Sequence, residues 1–203
     1  MKIDLHVHSS ERSDCGKATE EAQIRAAIAA GLDALVFTDH WQFVPLARLK
    51  RLNDQYAPFK IFGGIEVTAD DEDFIVVGVR DAALEKSGYS YAELLARVRQ
   101  HAGFIALAHP FRFHPEIRAD IERFKPDAIE TRSPHTSEAE EPRIREIAMR
   151  LRLPMLCNSD AHTTDPIGKY FNVVGNGVVD ERELITLLKD SGLTKVRFEL
   201  APS

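Results

Sequence analysis

Short apolar runs alternate with longer amphipathic segments along the whole chain. The runs lie at 2–9 (KIDLHVHS), 34–40 (ALVFTDH), 60–68 (KIFGGIEVT), 73–79 (DFIVVGV), 104–110 (FIALAHP), 128–133 (AIETRS), 155–162 (MLCNSDAH) and 171–178 (FNVVGNGV). Their length and β-branched content predict strands, and helix-like segments separate most of them. This alternation is that of an α/β protein with a mainly parallel sheet.

The helix ends are written in the sequence. Thr19 caps a helix whose first turn carries Glu20 and Glu21; Ile24, Ala27 and Ile28 form its apolar stripe and Gly31 stops it. Ser90 and Glu93 make a capping box ahead of Leu94, Leu95 and Val98, with Gly103 as the stop. Asp180 and Glu183 precede Leu184, Ile185 and Leu188, with Gly192 closing. Between Ser137 and Leu151 the stripe is Ile144, Ile147, Ala148 and Leu151, and EKSGYS (85–90) reads as a loop.

Composition narrows the class. The 203 residues are 44% hydrophobic and 29% charged, an ordinary balance for one well-buried domain spanning 1–203. No apolar run is long enough for a bilayer, and no signal-peptide pattern is visible at the start. The net charge of −6 argues against a nucleic-acid groove as the main feature. Cys15 and Cys157 form no CxxC pair, so two free thiols in a reducing cytoplasm are expected.

The ionisable residues then change the picture, because they sit at strand ends. His6 and His8 share a face of the first strand by i, i+2 spacing, with Asp4 on the same side and Leu5 and Val7 opposite. His40 ends the second run, Glu66 lies late in the third and His109 ends the fifth. Glu130 and Arg132 close the sixth, and Asp160 and His162 the seventh. The carboxyl ends of parallel strands converge on one rim, where such folds keep their sites. Imidazoles and carboxylates gathered there suit transition metals. His6, His8, Asp14, His40, Glu66, His109, Asp160 and His162 exceed what one ion uses, so two or three ions sharing bridges are expected, with Glu66 or Asp160 able to bridge. Paired ions polarise a phosphoryl oxygen and generate the attacking hydroxide without a side-chain nucleophile. No GxSxG elbow, P-loop or dinucleotide fingerprint competes.

DLHVHS, Asp14, TDH, GIEVT, AHP and NSDAH followed by Ile167 and Gly168 appear in that order and resemble the PHP (polymerase and histidinol phosphatase) family. The resemblance implies a distorted (β/α)7 TIM-like barrel and hydrolysis of a small phosphoester at two or three divalent ions (manganese, zinc or iron). His6, His8, Glu66 and Asp160 match the ligands of the first metal. Glu66 bridges to a second, which His109 also holds, and Asp14, His40 and His162 match the third. Trinuclear members carry a histidine in the strand after the glutamate, and Ile75 occupies that position here. The departure favours two metals, with the second site weak, empty or completed by water, phosphate or an acid such as Asp70, Asp71 or Asp73.

Asp160, His162 and Arg132 are the catalytic candidates. Arg132, His135, Arg112 and Lys17 are candidates for the substrate phosphate, Arg132 as a bidentate clamp. Asp4 is expected to orient a neighbouring histidine or to end in a hydrogen bond, and Asp39 to support the ligands or cap a helix. His101 and His114 read as surface and loop residues, and Cys157 as core. The expected protein is a cytoplasmic metal-dependent phosphoesterase acting on a small phosphorylated molecule, a nucleotide or histidinol phosphate among them. It needs no membrane and no nucleic-acid partner. The alternatives are a metal-stabilised scaffold subunit of a larger assembly and hydrolysis of a non-phosphate bond.

Overall fold

A computed structural model describes residues 1–175, 178 and 180–189. The strands are β1 (Lys2–Val7), β2 (Ala34–Phe37), β3 (Lys60–Ala69), β4 (Glu72–Val77), β5 (Phe104–Leu107), β6 (Ala128–Arg132), β7 (Met155–Cys157) and β8 (Asn172–Val173). The helices are α1 (Glu20–Ala29), α2 (Leu46–Tyr56), α3 (Tyr91–Gln100), α4 (Glu140–Leu151) and α5 (Glu181–Lys189). All eight strands join one sheet in the order β7-β6-β5-β4-β3-β2-β1-β8. It curls into a nearly closed barrel. Asn172 on the β8 edge closes the gap to β7: its side chain accepts from the Cys157 N–H (2.9 Å) and donates to the Cys157 carbonyl (2.9 Å). The expected α/β, TIM-like barrel is therefore the observed fold.

The sheet departs from a mainly parallel one in a way that matters for the site. β4 runs antiparallel to both β3 and β5, and β8 antiparallel to β1. Ala69 pairs with Glu72, so Asp70 and Asp71 alone make the β3–β4 turn, with φ of 49° and 61°. Such a two-residue hairpin leaves no room for a crossover helix. Reversal brings the start of β4, not its end, to the rim where the carboxyl ends of β1, β2, β3, β5 and β6 meet.

Apolar side chains fill both faces of the barrel wall. Leu5, Val36, Ile75, Val77, Ala106 and Leu156 form an apolar cluster that α5 joins through Leu184 and Leu188. Another packs Ile65, Val67, Phe74, Val76 and Ile105 against Tyr91, Leu94 and Val98 of α3 and Ile144 and Ala148 of α4. Full burial of each such side chain stabilises by about 1.5–3 kcal/mol. Gly78, at the end of β4 away from the histidines, has φ 77°, and a Cβ there would lie 1.9 Å from the Ile185 Cδ1 atom. Glycine is what lets α5 approach the sheet.

The caps predicted at Thr19 and Ser90 form, the latter as a complete capping box. Ile28, assigned to the α1 stripe, is instead exposed, and buried Gln23 takes the inner edge with Ile24 and Ala27. The Gly192 stop lies outside the described residues. The α2 stripe of Leu49 and Leu52 was readable at i, i+3 spacing but is short and set among charged residues.

Candidate metal centre

A register shift between Asp4 and Val7 in the pairing with β2 breaks the simple alternation along β1. Leu5 consequently joins the cluster of Val36 and Ile75, while Val7 packs with Leu35 and Phe37. Asp4 does not join the histidines as the spacing suggested. Its Oδ1 accepts from the backbone N–H of His6 and of Ser159 (3.2 Å each), and burial pushes its carboxyl up to about 7.

Past the shift, His6 and His8 converge. Their Nε2 atoms lie 3.1 Å apart. Glu66 Oε2 is 3.2 Å from His6 Nε2 and 3.1 Å from His8 Nε2; Asp160 Oδ1 is 3.3 and 3.1 Å from the same atoms. All four residues are buried, and Asp160 Oδ1 has no hydrogen-bond partner among the described residues. Four donors spaced in this way can each lie about 2 Å from a common centre, the bond length zinc makes to nitrogen and oxygen.

The outer nitrogens fix which ring atom faces inward. His6 Nδ1 lies 3.4 Å from Glu130 Oε1, and His8 Nδ1 3.4 Å from Ser13 Oγ. Ser13 Oγ in turn donates to Asp39 Oδ1 (3.0 Å) and accepts from the His40 N–H (2.9 Å). His162 Nδ1 faces the Asp160 carbonyl at 2.8 Å. A proton on each Nδ1 leaves the three Nε2 lone pairs free for a cation.

The second oxygens of Glu66 and Asp160 open the opposite side. Glu66 Oε1 lies 3.1 Å from His109 Nε2, and Asp73 Oδ2 and Asp160 Oδ2 lie 3.9 and 3.8 Å from the same nitrogen. Glu66, Asp73 and His109 form a second buried group of donors. Thr68 donates to Asp73 at 2.6 Å and holds it there. Among Asp70, Asp71 and Asp73, only Asp73 reaches the site; Asp70 accepts from the Tyr91 N–H and Asp71 pairs with Arg118 at the surface. Ile75, two residues deeper along β4, is buried in the apolar cluster. Because β4 is reversed, position 73 stands at the rim and position 75 does not.

The buried imidazoles and carboxylates set one another's charge. Burial pushes His6, His8 and His109 toward the neutral form, but Asp160, Glu66 and Glu130 outweigh it and raise all three, His8 to about 9. Burial likewise raises Glu66 and Asp160, yet the imidazoles outweigh it and hold both well below the carboxylate range. The donor set thus draws protons when no metal replaces them. His109 and Asp160 also sit at positive φ (22° and 42°), backbone strain of the kind that clusters at functional sites.

The rim sorts the remaining residues. His40 Nε2 lies 3.2 Å from Glu66 Oε2, and its ring stacks on His8 at 4.9 Å. Arg112 donates to Asp160 Oδ2 at 2.7 Å, and His135 Nε2 lies 3.2 Å from the same oxygen. Arg132 turns away: its guanidinium lies 3.6 Å from Glu141 on α4, past a second register shift between Glu130 and Arg132. Asp14 is exposed and joins no donor group, while its neighbour Cys15 does, with His8 and His162. Lys17 is exposed and only its backbone N–H reaches the site's frame, at the His162 carbonyl. Glu130, at the end of its strand, backs the His6 ring and the His109 N–H, and a carboxylate behind a ligating histidine is the signal that finds it.

Residues 4–163 match the model of the PHP domain, and residues 140–191 match that of the PHP-associated segment. The chain belongs to the PHP family. Solved structures agree on the fold. PsfC from Pseudomonas syringae PB-5123 superposes with a TM-score of 0.70 at 20% identity, over 93% of this chain and 88% of that one. A two-domain protein from Bacteroides vulgatus ATCC 8482, containing a predicted PHP-like metal-dependent phosphoesterase, gives 0.68 at 18% identity over 93% and 62%. The lesion-specific endonuclease PfuEndoQ from Pyrococcus furiosus gives 0.61 at 16% identity over 95% and 57%. A search of curated proteins finds no significant match. No helix among the described residues of this PHP domain is long and apolar enough to cross a membrane.

Proposed function

We propose that this PHP domain is a metal-dependent phosphoesterase acting on a small phosphorylated molecule. The observation that carries it is Glu66, whose two carboxylate oxygens face two separate donor groups, His6–His8–Asp160 on one side and Asp73–His109 on the other. His6, His8, Glu66 and Asp160 would hold one divalent ion, and Glu66, Asp73 and His109 a second. Bound there, the ions supply Lewis acidity and lower the pKa of water at a phosphoryl group.

The chain's own groups do the rest. Arg112, a quarter exposed at the mouth, offers donors to the phosphoryl oxygens beside Asp160. His135 is lowered, first by burial, and so stays neutral and able to take a proton near neutral pH. His135 Nε2, against Asp160 Oδ2, is placed to return a proton to a departing alkoxide.

The test is turnover of a phosphoester panel, histidinol phosphate and nucleotides included, by protein stripped of metal and then supplied with Mn²⁺, Zn²⁺ or Fe²⁺. Hydrolysis restored by at least one ion is expected; none with any ion overturns the reading.

A second reading, cleavage within single-stranded nucleic acid, has one observation behind it. Trp41 and Phe113 are exposed, and their rings contact His40 and His109 on the two sides of the donors. Aromatic faces so placed can stack bases. The net charge of −6 opposes a long polyanion and puts the small substrate first. Oligonucleotides in the same panel separate the two.

A further inference from the structure

We propose that Arg143, in the first turn of α4, is a positioning residue for Arg112. It clamps the strained turn that aims the Arg112 guanidinium at Asp160. The kinetic consequence rests on the phosphoesterase reading above; the structural one does not.

The connection from β5 to β6 is unlike its neighbours. Residues 108–127 contain no helix, whereas α3 lies between β4 and β5 and α4 between β6 and β7. The chain leaves the rim through a tight turn in which the Arg112 N–H donates to the His109 carbonyl (3.2 Å). The first residue of the turn is fastened from below, because the His109 N–H donates to buried Glu130 (2.9 Å). The last residue, Arg112, donates to Asp160 at 2.7 Å. Between them Phe111 has a φ of 71°, after 22° at His109. Positive φ is costly for a bulky residue and persists only where the surroundings fix it. Something must therefore hold Phe111.

Two features hold it. On the inner side its ring is buried in the apolar cluster that includes Leu107, Ile121 and Ile144. On the outer side the Arg143 guanidinium carbon lies 4.1 Å from the ring centroid. The same guanidinium donates through Nη1 to the Pro115 carbonyl (2.7 Å). One side chain thus grips the loop before and after Arg112, at residues 111 and 115. A planar guanidinium can do both, since its face attracts the ring while its edge donates.

The charge pattern on the same helix supports this assignment. Arg150 pairs with Glu122, and Arg118, across the neighbouring cavity, pairs with Asp71. No carboxylate among the described residues pairs with Arg143, so its cationic group is committed to the turn. Arg143 is exposed, and removing its side chain leaves the apolar core intact. What Arg143→Ala releases is the outer grip. Phe111 is then free to relax toward negative φ, which swings Arg112 off Asp160 while Glu130 still holds His109.

Amide exchange and a double-mutant cycle test the clamp. In metal-free full-length protein followed by NMR, Arg143→Ala is expected to speed exchange of the Arg112 N–H about tenfold and to leave the His109 N–H unchanged. Arg143→Lys keeps a cation for the ring and should restore part of the protection. Arg150→Ala should leave both amides at the wild-type rate. In the metal-loaded protein Arg143→Ala should lower kcat/KM for a phosphoester about tenfold, the scale of the contacts it removes. Once Arg112 is already alanine, the same change should cost less than about twofold, because nothing is left to position. An Arg112 amide that keeps its wild-type rate, equal acceleration at both amides, or kinetic losses that add in the double variant would each overturn the clamp. Selective acceleration at Arg112 in a protein that hydrolyses no phosphoester keeps the clamp and overturns the phosphoesterase reading.

Discussion

Glu130 stands directly behind His6, with Oε1 3.4 Å from His6 Nδ1, and it is fully buried. The same oxygen accepts from Asn158 (2.8 Å), and Oε2 accepts from the His109 backbone N–H (2.9 Å). One carboxylate thus orients a ring of the first donor group and the backbone of a residue in the second. Glu130→Gln keeps the shape and removes the charge. Metal affinity is expected to fall by about 10–100-fold, the usual cost of losing such a partner. Chelator competition measures it; affinity within twofold of wild type would contradict the role, provided circular dichroism shows the fold intact.

Asp73 and Ile75 share a strand but have opposite expected roles. Asp73→Ala should lower bound metal by about one ion per chain, leaving the His6–His8 group loaded, as elemental analysis would show. Ile75→Ala should leave metal content unchanged and cost about 2–5 kcal/mol of stability through the cavity it opens. Full metal content in Asp73→Ala would remove Asp73 from the site.

These two residues also mark where the sequence stops being legible. Most strands, the α1 and α3 caps and the cluster of ionisable residues at strand ends follow from periodicity and from the residue types themselves. The direction of β4 follows too, because the four residues between the third and fourth runs are too few for a crossover, but residue types alone do not say which of its positions reaches the rim. Position 75 therefore looks like the gap in the second donor group, while in space position 73 fills it. The shift in β1 similarly leaves the Asp4 carboxylate on the backbone N–H groups of His6 and Ser159, and the shift in β6 sends Arg132 to Glu141. Period-two counting fails at a bulge because an extra residue resets which face follows. The choice between Asp14 and Cys15 depends on a loop, where no periodicity exists to decide it.

Arg112 and Arg132 offer a direct comparison. Arg112 contacts Asp160 at the mouth, whereas Arg132 faces α4. Arg112→Ala should lower kcat/KM for a phosphoester by roughly 10–100-fold, the scale of one lost charge-assisted hydrogen bond. Arg132→Ala should change it by less than about threefold, within the range of an exposed ion pair. The reverse order in steady-state assays would restore Arg132 as the phosphate clamp.

Stability should depend on pH in opposite senses with and without metal. In the stripped protein the imidazoles of His6, His8 and His109 are raised in the folded state, His8 from 6.5 to about 9. Their contribution is complete below the unfolded value and is lost as pH climbs through the folded one. Glu66 and Asp160 are depressed, so theirs is present above the ordinary carboxylate range and lost only in strong acid. The metal-free protein should therefore melt at a lower temperature at pH 9 than at pH 6.5. A bound ion takes the place of the imidazole protons, so raising pH removes a competitor and tightens binding. The gap in melting temperature between zinc-loaded and stripped protein should widen steadily from pH 6.5 to 9 in thermal scans. A gap that stays constant or narrows would mean that the buried histidines are not where the metal binds.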